Sequence, residues 1–550
     1  MTARVNAIDW TIVIGYLVLT LLLAWWKGSG KQKDSGSYFL ARGTLPWWVM
    51  AAAYVTTGMN TEQLVGMNGV AYVIGLPLVN WLYTAVLVVY TALIFIFFPI
   101  YLRNNIVTVP QYLGRRFDAR SENVFSLILL VSYVFVNLAV VFYGGAKCLS
   151  VIFGGSLMFW LTVLGIVSGL VSVYGGMASM AYTSVLQFIL IFGSGFVLFI
   201  LAYLKLPHGW SDVVAHAPCG FHLIKPSDYP EIPWQAIPLT LLSLHLYYSC
   251  ISQAMVQRGF GGRTEWDVRI AIIAAGFAVF LRPVVEVFPG MMARALAFTG
   301  FSEFDLGVTQ GLPREKMDLD SLLPILVNNL VKPGFIGLMI VGILSSVMST
   351  ISAFLGSIST LFTFDVYRKW IRPNASEKEL VKVGVVATVV LMLFGIFYSP
   401  LIGHLGGIFK YFQTIAAYVA APVATVYLFG VFWKRTTPAA AFAIMIGGIP
   451  LGLAIHWSIP ALFPAKTIAH YSLNNQFVEA GICQAFCVLL LVVISLVTTP
   501  RPAAETAPLL WKWQYLRLPA GEPQRAFFAS VPFWWAVFIL FYLGIIIYLW

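Results

Sequence analysis

Apolar residues in this chain arrive in long runs, with no strand-like alternation between them. Runs at 8–26, 46–70, 77–101, 123–149, 156–174, 179–205 and 235–258 fill the first half. Runs at 268–298, 333–363, 379–399, 406–433, 438–458, 476–499 and 531–550 fill the second. Each reaches about 20 residues, the length a helix needs to cross a hydrocarbon core. The pattern predicts an all-α membrane protein with about fourteen transmembrane helices. The alternating segments of a membrane β-barrel, about ten residues each, are absent.

Polar residues interrupt these runs at particular places. The second run carries "AYVTTGMNTEQLVGMNG", crowding Thr56, Thr57, Gly58, Asn60, Thr61, Glu62 and Gln63 into its middle. A regular helix in hydrocarbon has little use for them. A broken helix does, because unwound backbone frees carbonyls to bind a cation near the midplane. Small-residue packing with back-bonded hydroxyls accounts for one threonine, but not for the whole cluster with its Glu and Gln. The seventh run carries "LHLYYSCISQAMVQR", where Tyr247, Tyr248, Ser249, Ser252 and Gln253 interrupt a second helix. The ninth carries "ILSSVMST", and its Ser345, Ser346, Ser349 and Thr350 fall at i, i+1, i+4 and i+5, on one polar stripe. Neutral oxygens suit an alkali cation, since they replace its water without trapping it. In the eleventh run Gln413 projects near mid-membrane, with Lys410 one turn away. Arg282 and Glu286 form an i,i+4 pair that reads as mutual neutralisation, and Lys147 and Arg294 can snorkel outward.

The two interrupted helices lie five spans apart. Transporters built from inverted repeats place broken helices at corresponding positions of their halves. The spacing therefore predicts a five-plus-five inverted-repeat core. One extra helix and loop precede it (1–45), and an outer loop (206–234) joins the repeats 46–205 and 235–433. Three helices follow in 434–550.

Composition closes off other classes. Apolar residues make up 60% of the chain and charged ones 10%, against about a quarter in soluble domains. An ordinary globular enzyme is excluded, and neither a nucleophile–base pair nor a zinc, metalloprotease or P-loop spacing appears. His208, His216 and His222 of the outer loop lack tight ligand spacing. The net charge of +11 reads as topology, with no nucleic-acid partner implied. Lysines and arginines such as Lys27, Arg115, Arg116, Arg368, Lys369 and Lys434 gather in alternate loops, which become the inner ones. Both termini are then outside. The first run has an acid before it and lysines after it, the reverse of a signal peptide, so it reads as a retained span. Five scattered cysteines make no disulfide framework.

A family likeness follows from motifs spread over most of the chain. They are "YFLARGTLPWW", "VTVPQYLGRRF", "YGGMASMAYTSVLQ", "FHLIKPSDYPEIPW", "MVQR", "FPGMMARAL", "STLFTFDVYRKWI", "FKYFQTIAAYVAAP" and "LFGVFWKR". In order and spacing the chain resembles the solute:sodium symporter family, close to its sodium/glucose cotransporter branch. The resemblance implies a LeuT-type fold and a multi-pass place in the cell membrane. It also implies a sodium site made by the carbonyls of Thr56 and Met59 with Ser346, Ser349 and Thr350. It implies solute contacts from Gln63, Asn137, Tyr248 and Gln413, and an outer gate of Met67, Trp81 and Phe409. The chain departs from the family at Leu82, where the family has a sugar-binding glutamate, and at Val279, where it has a lysine. Ser249 stands for a tryptophan, Lys410 for an acid, and Ser184 for the acid of a "TD" motif, which weakens a second sodium site. The expected function is sodium-coupled symport of a small polar solute by alternating access, a sugar first. A sugar acid or small carboxylate, with Lys410 as counter-charge, comes second. A sodium-gated sensor or channel on the same scaffold is the reading from a different class.

Overall fold

The computed structural model describes residues 5–28, 35–41, 43–218, 220–229, 231–404, 408–523 and 525–549. The chain is helical nearly throughout, and among the described residues one isolated bridge, Leu45 to Gly262, is the extended pairing present. Spans are numbered in chain order. They begin with α1 (Ala7–Gly28), α2 (Trp47–Gly58), α3 (Met67–Ile74) and α4 (Pro77–Arg103). Next come α5 (Ala119–Phe153), α6 (Leu157–Val173), α7 (Gly176–Lys205), α8 (Ala236–Ile251) and α9 (Gln253–Phe260). Then follow α10 (Glu265–Val279), α11 (Phe288–Phe298), α12 (Leu322–Leu330), α13 (Ile336–Ile371) and α14 (Glu377–Gly403). Last are α15 (Ile408–Phe432), α16 (Pro438–Leu462), α17 (Gln476–Val497) and α18 (Val531–Leu549).

Among the described residues, 10 helices are long and apolar enough to cross a membrane. They match ten of the expected runs, and each of the other four is broken or short. The second run splits into α2 and α3, and the seventh into α8 and α9. The eighth splits into α10 and α11 around prolines 283 and 289, and the fifth stops at Val173. α6 and α7 meet at Gly176, whose φ of 53° and ψ of −164° lie where a side chain would be strained. Many helix starts are read directly from the sequence. Ser156, Thr264, Ser376, Thr437 and Asn475 each accept a backbone N–H of the first turn of α6, α10, α14, α16 and α17.

α13 runs through the middle of the molecule, and nearly every residue from Ile336 to Leu361 is buried. Small residues let neighbours close on it and on the broken second span. Gly145 of α5 lies against Val347, and Gly342 of α13 lies against Ser194. A Cβ at Gly144 would strike Thr61 and Ile408. We therefore expect Gly144→Ala to cost about 1–3 kcal/mol of stability by overpacking, read as a lowered Tm. Lys147 and Arg294 are each paired. Lys147 pairs with Asp318 at 2.9 Å, and Arg294 donates to the carbonyl of His216 at 2.8 Å.

Candidate functional site

Both expected breaks are present, and the site is built around them. α2 ends at Gly58, Met59 takes φ −97° and ψ 60°, and a wider-wound turn over Glu62–Gly66 leads into α3. α8 ends at Ile251, Ser252 is extended at φ −65° and ψ 124°, and α9 begins at once. The freed carbonyls of the first break face α13. Ser349 Oγ donates to the carbonyl of Thr56 at 3.1 Å, and Ser346 Oγ donates to that of Met59. Thr350 is one turn from Ser346, and its buried hydroxyl has no hydrogen-bond partner among the described residues. Five oxygens from Thr56, Met59, Ser346, Ser349 and Thr350 are thus the candidate cation ligands. Ser345, fourth member of the polar stripe, sits beside Tyr16 of α1 instead. The Thr56 hydroxyl bonds back to Ala52 at 3.0 Å, so this residue offers its carbonyl alone.

A polar network leads from the break into a cavity of about 80 Å³, lined by Gln63, Trp81, His245, Tyr248, Arg282 and Gln413 among others. That volume holds several water molecules. Arg282 joins the two regions. It grips Glu286 at 2.9 and 3.1 Å, and donates to the carbonyl of Gly58 and to Gln63 Oε1, each at 3.0 Å. Glu62 is fully buried and accepts from Gln63 Nε2 at 2.6 Å and from Gln413 Nε2 at 2.9 Å. One guanidinium, two carboxylates and two amides therefore connect α2, the wide turn before α3, α15 and the turn before α11.

Gln63, Tyr248 and Gln413 come together as the sequence leads one to expect. Asn137 does not join them. It lies across Tyr248 in a smaller neighbouring cavity and donates to the carbonyl of Ser132 at 3.0 Å. Tyr248 lines both cavities, with its ring set edge-on to Phe412 at 6.3 Å. Of the gate residues, Trp81 walls the cavity and packs on His245 at 4.3 Å and Phe477 at 4.5 Å. Met67 is buried one turn beyond Gln63. The side chains of Phe409 and Lys410 lie outside the described residues.

Sequence reasoning missed the roles of four participants. Arg282 and Glu286 read as a self-contained pair because spacing reveals i,i+4 partners and not the distant Gly58 carbonyl. His245 lay in a run whose tyrosines drew the attention. Its imidazole lines the cavity and makes no hydrogen bond among the described residues. Glu62 stood in the polar cluster without a role; its two amide partners supply one.

The comparisons with known proteins agree with this geometry. Residues 38–448 match the model of the sodium:solute symporter family. The chain is 28% identical over 483 residues to a sodium/glucose cotransporter of Vibrio parahaemolyticus, covering 85% of this chain and 88% of that protein. It is 27% identical over 557 residues to sodium/glucose cotransporter 4 of Homo sapiens, covering 96% and 81%. Among solved structures, the substrate-bound outward-open state of a Na+-coupled sialic acid symporter superposes with a TM-score of 0.77 at 19% identity. That match covers 90% of this chain and 99% of the other. The likeness shows the fold, the LeuT type that the family resemblance implied. With its family model spanning most of its length, the chain belongs to the sodium:solute symporter family.

Proposed function

We propose that this symporter uses sodium at the five-oxygen site to drive uptake of a sugar bound in the adjoining cavity. One observation carries the reading. Arg282 holds the Gly58 carbonyl at the edge of the sodium-site break and, with the same guanidinium, the cavity residue Gln63. Sodium drawn to Thr56, Met59, Ser346, Ser349 and Thr350 fixes α13 against the break. The fixed break holds Gly58, and through Arg282 it holds the cavity wall. Solute and sodium then favour the same conformation, which is all that coupling requires. Closure of Trp81 over the cavity and passage past Tyr248 complete alternating access. On this reading the chain sits in the cell membrane with both termini outside, and its two repeats run over 46–205 and 235–433.

The cavity chemistry favours a neutral polyol. Its uncharged polar groups include the amides of Gln63 and Gln413, the His245 imidazole, the Ser249 hydroxyl and the phenols of Tyr54, Tyr90 and Tyr248, each able to bind a hydroxyl. Its guanidinium is already committed to Glu286, and Glu62 lies close by, so little positive charge is free for an anion. A sugar acid is the second reading. The structural likeness to a Na+-coupled sialic acid symporter favours it, with Lys410 as the counter-charge. A panel of sugars and small carboxylates, screened by thermal stabilisation with and without sodium, separates the two. Sugars are expected to raise Tm only with sodium present; stabilisation by carboxylates and not by sugars refutes the sugar reading. We also expect His245→Ala to raise the half-saturating solute concentration about tenfold, the worth of one lost hydrogen bond, with unchanged half-saturating sodium. Uptake titrations in both variables check this.

A further inference from the structure

A wide concavity lies on the outer surface of the helix bundle, away from the transport site. It is a groove of about 970 Å³ between α5, the end of α13, and α14. Specific ligand sites fall in the same range of volumes. Its walls are apolar side chains, among them Val131, Val386, Val390 and Phe394, and these four are 44–56% exposed. Its polar residues are gathered at one end: Tyr367, Arg372, Glu379 and Lys382. Arg372 and Tyr367 hold Glu379 at 2.7 and 2.6 Å, which leaves that carboxylate satisfied. Lys382 makes no hydrogen bond or ion pair among the described residues, and Lys378, one turn before it on α14, makes none either. The basic end is therefore charged beyond its local carboxylates.

The length of the groove says what fits it. From Lys382 to Phe394 the α14 wall rises about 18 Å at 1.5 Å per residue. Half of a hydrocarbon core of about 30 Å is close to that, so the groove spans one leaflet from headgroup level to the midplane. A basic mouth above an apolar trough of that depth has the form of one phospholipid with an anionic head.

We propose that this groove is a binding site for an anionic glycerophospholipid, its phosphate at Lys382 and an acyl chain along Val386, Val390 and Phe394. The bound lipid joins α5 to α14 and rests on the far end of the helix that carries the sodium-site serines. The net negative charge of the headgroup, not the alkyl surface alone, sets the selectivity.

The test uses the full chain reconstituted in equal phosphatidylglycerol and phosphatidylcholine, partly delipidated, with retained lipids counted by native mass spectrometry. One phosphatidylglycerol per chain is expected to outlast phosphatidylcholine. Lys382→Ala is expected to lower that preference about fivefold, the worth of one cation beside an anionic headgroup. Val390→Trp fills the trough and is expected to remove the retained lipid from a chain that stays monodisperse with unchanged Tm. Equal retention of the two lipids by the wild type overturns the proposal. So does retention untouched by both substitutions. A Val390→Cys variant that forms a disulfide-linked dimer in membranes also overturns it, because a second copy would then fill the groove.

Discussion

Replacing Ser349 and Thr350 together by alanine is expected to weaken apparent sodium affinity by about 10²–10⁴-fold while leaving the fold intact. The proposed site has five oxygens, and the double substitution removes two. A polar contact to a charged group contributes about 1.5–3 kcal/mol, so the pair supplies about 3–6 kcal/mol. Every 1.4 kcal/mol is about tenfold in affinity. The hydroxyls are buried in α13, and the Thr350 hydroxyl has no partner among the described residues. Its loss therefore breaks no hydrogen bond of the fold, and the Ser349 change removes two, to Thr56 and Ser346. Sodium titration of thermal stability measures affinity without transport. A sodium dependence that survives both changes unaltered moves the ion elsewhere.

Arg282 gives the second large effect, and a pair of variants separates its structural role from its functional one. Arg282→Met leaves Glu286 fully buried without its cation, which costs about 3–5 kcal/mol. It also releases the Gly58 carbonyl and Gln63. We expect a marked fall in Tm and no transport. Changing both partners, Arg282→Met with Glu286→Met, removes the charge pair altogether, and such replacements are often neutral for stability. The double variant is therefore expected to recover the Tm and still fail to couple sodium to solute. Recovery of sodium-driven uptake along with stability would reduce Arg282 to a folding residue.

Much of this was legible in the sequence because the bilayer leaves few options. Hydrocarbon forbids unpaired backbone, so a polar cluster in an apolar run had to mark either a packed interface or a break. Clusters at residues 56–63 and 247–253 marked breaks, the i, i+4 spacing of Ser346 and Thr350 put both on one helix face, and the family resemblance set that face against the first break. The limits were equally physical. Ser345 shared the stripe in sequence, but adjacent helix positions are rotated by about 100°, and that turn carries it to Tyr16. Asn137 shared the solute motif, but whether it lies before or behind Tyr248 depends on how α5 packs on α8. The tie from Arg282 to Gly58 spans 224 residues, and no local pattern encodes it. Prolines 283 and 289 did signal that the eighth run would break, and the apolar length around them masked the signal.

The most direct test is uptake into proteoliposomes holding the purified chain, with a sugar outside and an imposed inward sodium gradient. The account predicts transient accumulation of the sugar above its external concentration, abolished when potassium replaces sodium or when the gradient is dissipated. Entry to the same level with and without the gradient would contradict it, and would make the chain a sodium-gated channel or sensor on a symporter scaffold.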